Sequence, residues 1–476
     1  MKTSTTHFFG TVVLILIGSL CSAQTYFQKV YLSSPYDQEG LDVVPCPDGG
    51  YLIAGYTTNS TLNDCDVQLT KSDAAGNKVW QKTFGGSKPD FAKHMLTASD
   101  GNVLIVGYSQ SYGGGDRDIY LLKVDQSGNE IWKKTYGGWG DDVGEDIIAT
   151  SDGNFLIVGY SNSGSTTGQN ANLIKIDPSG NQIWSKQYGG SNDDFARSVK
   201  QCSDGGFIML GNTLSYGTNG DAYLVRTDAS GAESWYKTFG GAQYDEGTYI
   251  TLNSDGSYTF LIRDSSNVGQ DIDVRVMKTD ASGNVIWNKN YGGTKKDTPK
   301  MINNTSDGGY IIAAISRSFG WVNPDMWILK TNSTGDTTWT RHYGGVSHEH
   351  AYVAKEQADG SYIVVGKTES YGPDADIMFL KLNSQGTLAV GIREMYVDAG
   401  IIRLFPNPNN GNMSIDLRGL AFAKISISDA IGREVYSKEA IREEELTISL
   451  EAGKPGIYIL RCESDKGTET KKFIIN

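Results

Sequence analysis

The chain is 476 residues long with a formal net charge of −13, and it contains 58 Gly, 26 Tyr and 9 Trp against only 11 Pro. That acidity leaves no basic footprint for a nucleic-acid partner and disfavours docking on anionic lipid. The composition suits many short strands joined by tight turns rather than helices.

The first 23 residues read as a signal peptide. Lys2 supplies the positive end, FFGTVVLILIGSL (8–20) the apolar core, and Cys21-Ser22-Ala23 the small residues before a cleavage site. Lipidation at Cys21 is the rival reading, opposed by the bulky Leu20 before it. No later stretch approaches the roughly 20 apolar residues of a membrane span, so the mature protein is expected to be exported and soluble. Cys46, Cys65, Cys202 and Cys462 remain, at spacings that suggest no disulfide.

Next comes a stretch of about fifty residues written out seven times. Trp80, Trp132, Trp184, Trp235, Trp287 and Trp339 recur 51 or 52 residues apart. An Asp-Gly turn keeps the same beat at Asp48, Asp100, Asp152, Asp204, Asp255, Asp307 and Asp359. So does a cation at Lys71, Lys123, Lys175, Arg226, Lys278, Lys330 and Lys381.

Within the copy spanning 137–188, four strand-like runs lie between turn signals: 142–150, 154–161, 172–177 and 182–188. The turns are Ser151-Asp152-Gly153-Asn154 and Pro178-Ser179-Gly180-Asn181, whose Gly and Asn take positive φ readily. This is a four-stranded antiparallel meander that cannot bury two apolar faces alone. Radial stacking closes the array, and the fold class predicted is an all-β, seven-bladed β-propeller of four-stranded blades over residues 24–391. A linear solenoid is the alternative, but it needs polar capping repeats that the chain lacks. Gly55, Gly107, Gly159, Gly211 and Gly366 mark a close backbone approach on the second strand, which Ile262 and Ala314 interrupt. Residues 25–32 align with an outer strand, Phe27 in the Trp place, and are expected to complete the last blade and close the ring.

After a linker (392–402), the period stops, and alternating runs over 403–476 read as a small β-sandwich. This unit carries Phe405-Pro406-Asn407-Pro408 with Gly411, the turn Asp429-Ala430-Ile431-Gly432-Arg433-Glu434-Val435, Gly456-Ile457-Tyr458-Ile459-Leu460, and Lys471-Lys472-Phe473-Ile474. On those residues it resembles the C-terminal sorting domain of type IX secretion cargo from the Bacteroidetes. The resemblance implies an Ig-like fold, the type IX translocon as partner of residues 403–476, and release or attachment at the cell surface. The repeats are similar to propeller arrays of secreted Bacteroidetes proteins. KVDQSGNEIW (123–132) looks like the tryptophan-docking motif of quinoprotein dehydrogenases. Seven copies in place of eight, and no adjacent cysteines, carry over only the packing device. The same run looks like the Asp-box of sialidases, but Asp125 and Gly128 stand one residue too far apart.

Loops entering the first strand and leaving the second share one face of a propeller. The entry loop carries an acid in each copy: Asp37, Asp90, Asp142, Asp194, Asp245, Asp297 and Glu349. A second series precedes the third strand, at Asp66, Asp118, Asp221, Asp273, Asp325 and Asp376, with Asn170 in the remaining copy. Catalytic carboxylates need unlike environments, whereas these are equivalent residues in equivalent places, so capping of turn N–H groups is the expected role. A Ca²⁺ at the channel mouth is the alternative, and no other cofactor is called for. The candidate ligand face is Tyr112, Trp139, Tyr216, Tyr244, Arg263, Phe319, Trp321 and Tyr371, aromatics and one cation that only some copies carry. His348 and His350 flank Glu349 as a weak metal candidate. The functional expectation is a non-catalytic binding or surface-interaction module for a polysaccharide or a surface protein. The alternatives are a carbohydrate-active hydrolase or lyase using acids on the loop face, and a quinone-type oxidoreductase.

Overall fold

The computed structural model describes residues 26–32, 35–58, 65–164, 168–217, 219–265, 273–319, 323–388, 403–405, 412–417, 420–443, 445–450, 456–465 and 467–475. The expected signal peptide, the linker, Trp321, residues 389–392 and the Pro406–Gly411 part of the sorting motif lie outside the described residues.

Among the described residues every regular element is a strand. Six consecutive meanders, 38–84, 90–136, 142–188, 194–239, 246–291 and 297–343, form blades one to six. Blade seven takes its inner three strands from 349–382 and its outer strand from Phe27–Tyr31. Phe27 lies opposite Lys381 and Tyr31 opposite Ile377, so the chain's beginning is pinned 350 residues downstream. The first strands of successive blades neighbour one another, and that of blade seven (Glu349–Glu356) returns to that of blade one (Gln38–Pro45). They therefore surround a central axis.

Burial follows strand order. Second strands such as Val103–Ser109 are apolar because both their faces meet another blade, while outer strands such as Gln182–Tyr188 are mostly exposed. Each first strand carries a bulge, as between Ala92 and His94, and the bulge brings its backbone onto the second strand. A Cβ on Gly107 would stand 1.8 Å from the Phe91 carbonyl oxygen, so only glycine fits there.

The recurrent residues hold blade to blade. Each Trp ring covers the turn glycine of the next blade's outer hairpin: Trp132 lies on Gly180, a turn position at φ +77 that a side chain would both strain and collide with. Phe27 covers Gly76 in the same way. Tyr hydroxyls reinforce the dock, Tyr136 donating to the Gly180 carbonyl at 2.7 Å and Tyr31 to that of Gly76 at 2.8 Å. The Asp-Gly and Lys/Arg series meet within each blade, from Lys71–Asp48 at 2.8 Å to Lys381–Asp359 at 3.3 Å, tying the first hairpin to the third strand.

The C-terminal unit has two sheets. Arg403–Phe405, Asn412–Asp416 and Glu445–Ser449 form one; Glu434–Ile441, Ala423–Asp429, Gly456–Ser464 and Gly467–Ile475 form the other. They share a core of Met413, Ile415, Ile425, Ile427, Leu446, Leu460 and Phe473. The closing strand starts at Gly467, four residues before the Lys471 that opens the sequence run.

Phe27 is 6% exposed and packs edge-on against Phe379 at 5.0 Å. Phe27→Ala should cost about 3 kcal/mol through the cavity it leaves. Removing residues 24–32 should abolish the single cooperative melting transition in calorimetry, because Asp376–Leu382 would be left an open edge. A truncated chain that melts like its parent would show that the ring closes elsewhere.

Candidate functional site

The acid series sits where the turns need it. Gly138 donates its N–H to Asp142 Oδ2 at 2.9 Å, Gly190 to Asp194 at 2.8 Å, and Gly345 to Glu349 Oε2 at 3.0 Å. Gly86, Gly241 and Gly293 make the same bond to Asp90, Asp245 and Asp297. Ser215 Oγ also donates to Asp194 at 2.6 Å. Blade one breaks the pattern. Gln38, facing Thr57, holds the register of Asp90 facing Ser109, and Asp37 stands one residue earlier, accepting from the Ala375 N–H at 2.8 Å. The acid is thus not at one position in all seven copies.

The proposed aromatic face divides. Tyr112 and Tyr216 donate hydroxyl hydrogen bonds to the Gly85 and Gly189 carbonyls at 2.6 and 2.8 Å, and Tyr371 reaches that of Gly344 at 3.5 Å. Phe319 occupies the same loop position and packs on Trp327 at 5.3 Å. These four are a recurring loop anchor rather than an open platform. Trp139, on the loop between blades two and three, is 93% exposed. Tyr244 and Arg263 belong to the channel mouth described next. His348 pairs with Glu369 at 2.8 Å and His350 meets Tyr352 OH at 3.3 Å, so the two imidazoles serve different partners. Among the described residues no group of three His, Cys, Asp or Glu is placed to hold a metal.

The blades differ most around the axis. At the mouth each blade offers one cross-strand pair, whose side chains share a face. In blade order these are Glu39/Tyr56, Phe91/Tyr108, Val143/Tyr160, Phe195/Asn212, Glu246/Arg263, Thr298/Ile315 and His350/Lys367. Blades one to four give an aromatic arc. Tyr56 meets Phe91 at 4.8 Å, Phe91 stacks on Tyr108 at 4.9 Å, and Tyr160 meets Phe195 at 4.9 Å. Arg117 and Arg197 lie over Tyr108 and Phe195, and Asn212 donates to Tyr244 OH at 2.8 Å. The opposite side is charged. Lys367 bridges Glu39 at 3.1 Å and Glu369 at 3.0 Å, beside a polar hollow of about 430 Å³ that Asp37, Tyr56 and Asp374 also line.

Below the mouth come the bulge residues Leu41, Lys93, Glu145, Arg197, Thr248, Lys300 and Tyr352. Arg197 spans Glu145 at 2.8 Å and Glu246 at 3.0 Å, joining blades three, four and five. Tyr352 donates to Glu39 at 2.5 Å. Burial, with Lys367 and Lys300 nearby, pushes the His350 pKa down to about 3, so that ring is neutral.

Deeper still the channel is plugged. His94 of blade two stands between two fully buried carboxylates, Nε2 at 3.3 Å from Asp42 and Nδ1 at 3.0 Å from Asp146. Tyr249 of blade five reaches across the axis to within 3.4 Å of His94 Nε2. Lys355 meets Asp42 at 2.5 Å and Lys200 meets Asp146 at 3.6 Å. The result is a blind funnel, aromatic on one flank and ionic on the other. Sequence reading overlooked it, although the signal was present. Aligned on the bulge, the seven copies read Asp42, His94, Asp146, Ser198, Tyr249, Met301 and Val353, a position at which no two neighbours agree.

Two family models agree with this architecture. Residues 403–476 match the family described as a secretion system C-terminal sorting domain, and residues 357–388 match a β-propeller domain of unknown function, DUF5122. Propeller and tail together define a type IX-sorted β-propeller protein, exported to the cell surface or beyond it. The regulatory protein FlaEY of Caulobacter vibrioides is 25% identical over 217 residues, 38% of this chain and 23% of that protein. This chain therefore spans less than a quarter of that relative's length. Among solved structures, PorZ of Porphyromonas gingivalis, a surface component of its type IX secretion system, is similar at TM-score 0.43 and 13% identity, over 92% of this chain and 59% of PorZ. The extracellular domain of a hybrid two-component system from B. thetaiotaomicron gives 0.45 and 12%, over 93% of this chain and 56% of its own. The acylaminoacyl peptidase of Pyrococcus horikoshii gives 0.40 and 10%, over 80% of this chain and 57% of its own. The chain spans just over half the length of each. Among the described residues no helix is long and apolar enough to cross a membrane.

Two outcomes follow from this geometry. Burial alone would raise the Asp42 and Asp146 pKa values. Lys355 and His94 beside the first, and Lys200 and His94 beside the second, more than offset it and hold both below the ordinary range. A depressed carboxyl contributes stability that is present above its unfolded pKa of about 3.9 and is lost as pH falls through the folded value. Asp146→Asn should therefore cost about 3 kcal/mol at pH 7, and the gap in melting temperature to the parent should narrow steadily below about pH 4. For the capping acids, Asp194→Asn keeps an acceptor and should cost under about 1 kcal/mol, whereas Asp194→Ala strands donors at about 1–3 kcal/mol each. Chelator should leave the melting temperature unchanged, and a marked drop would make the series a cation site.

Proposed function

We propose that this is a secreted or cell-surface binding propeller that takes a polysaccharide into the funnel mouth and does not turn it over. The observation that carries the reading is the one-sided arc of Tyr56, Phe91, Tyr108, Tyr160 and Phe195 on positions where a symmetric ring would repeat one residue. Flat rings beside paired arginines and a Tyr hydroxyl suit the alternating C–H faces and hydroxyls of sugar units. Trp139, unsupported by any described ring and almost fully exposed, offers a further platform on the same side of the disc. Export through the sorting domain would bring such a funnel to where extracellular glycans are met. The alternative hydrolase or lyase would use acids of the loop face, but six of those seven carboxylates already accept turn N–H groups.

The test is a panel of polysaccharides scored for both binding and product. The parent should bind at least one member without new reducing ends or unsaturated sugars appearing. Phe91→Ala and Trp139→Ala should each weaken that binding about tenfold, and Trp139→Ala should leave the melting temperature unchanged. Product release from any member would establish the enzymatic alternative. A surface protein bound in place of every glycan would move the ligand class.

A further inference from the structure

Among the described residues the funnel's cations are matched to carboxylates with one exception. Lys93 meets Glu145 at 3.6 Å, Arg263 meets Glu246 at 3.5 Å, and Arg197, Lys200, Lys355 and Lys367 have the carboxylates named above. Lys300, the bulge residue of blade six, is half-buried on the same wall and has no carboxylate within ion-pair distance among the described residues. Its described neighbour is the Tyr352 ring, whose centroid lies 5.4 Å from Nζ. Burial pushes its ammonium below the ordinary lysine range; Glu246 and Glu39 pull it back from a distance, while Arg263 and Lys93 push it further down. An ammonium partly withdrawn from water and left without a counterion is less stable than a paired one, so such groups normally have a carboxylate beside them. Among the described residues every neighbouring cation is paired with a carboxylate and Lys300 is not, while it stands within the electrostatic reach of Arg263 and Lys93.

We infer that the occupant of the funnel is an acidic glycan, and that one of its anionic groups, a carboxylate or a sulfate, sits against the Lys300 ammonium while its sugar rings lie along the aromatic arc. The inference rests on the binding reading above and narrows it to a class of ligand. Asymmetry then has a division of labour: blades one to four hold rings, and blade six supplies the charge that selects the polymer. The carboxylates Glu39 and Glu246 act on that ammonium from a distance, so a strongly clustered anion would be repelled and a singly charged sugar unit fits best.

The intact chain is titrated with oligogalacturonate, with κ-carrageenan oligosaccharides and with a neutral β-galactan of the same length, at low and at physiological salt. At least one acidic probe should bind about tenfold or more tightly than the galactan, and more weakly as salt rises. Preference for the first probe assigns a carboxylate and for the second a sulfate. Lys300→Met should abolish the preference and Lys300→Arg should keep it. The acidic probe should raise the melting temperature of the parent but not of the Met variant. Because Met fills the same space without charge, Lys300→Met should melt no lower than the parent. A lower melting temperature would mean that Lys300 already has its partner, and would overturn the inference. So would an acidic preference that survives in the Met variant, or equal binding of galactan and acidic probes, either of which leaves the binding reading standing. Failure of every glycan to bind would overturn both.

Discussion

A flat indole laid on a glycine turn is the contact from which the rest of the molecule follows. Six times a Trp on the outer strand covers the hairpin glycine of the next blade, and a seventh time Phe27 does so from the other end of the chain. The ring contributes apolar area and the turn contributes the absence of a side chain, so the pair sets both the distance and the tilt between neighbours. Tyr hydroxyls pinned to the same turn carbonyls prevent sliding. With the rim fixed in this way, and with Val43, Met95, Ile147, Val199, Ile250, Ile302 and Val353 holding the inner strands in the core, the channel-facing positions carry little packing duty. They can afford charged and aromatic side chains that differ from blade to blade.

That freedom is visible in the channel. An acidic protein devotes its axis to a nearly balanced set of ions, with His94 clamped between Asp42 and Asp146 as the floor and Arg197 spanning three blades above it. Ions withdrawn from water are expensive unless paired in good geometry, and their pairing here stitches non-adjacent blades together as well. Tyr249 meeting His94 across the axis links blades five and two, which are not neighbours in the ring. The floor therefore acts as an internal brace, while the mouth above it stays open and unequal.

How far the sequence alone could see depended on whether a feature repeats. The period of Trp132 and its kin, the Asp-Gly turns and the place of Phe27 were enough to number the blades and foresee the outer strand of the last one, because each follows from strand geometry. The Asp48 and Lys71 series were both legible, but their pairing was not; it depends on the third strand lying beside the first hairpin. Tyr112, Tyr216, Phe319 and Tyr371 looked like surface variation, since Gly164 interrupts them, yet they answer one recurrent need of the loop. The funnel was missed for the opposite reason. Lys300, Tyr352 and His94 lie on strands read as scaffold, and a bulge shifts their register by one residue, so alternation alone turns them the wrong way. Asp37 was counted with the acid series because it stands one residue before the matching position, which blade one fills with Gln38.

The clasp between Phe27–Tyr31 and Asp376–Leu382 also sets an order in time. The strand that leaves the ribosome first has its pairing partner in almost the last part of the propeller to be made. Until then six blades stand as an open stack, with the turn glycine Gly76 bare at one end and the edge of Asp376–Leu382 not yet in existence. Closing so large a loop is slow relative to forming each local meander. The ring therefore locks only once its first strand and its last blade are both made and able to meet.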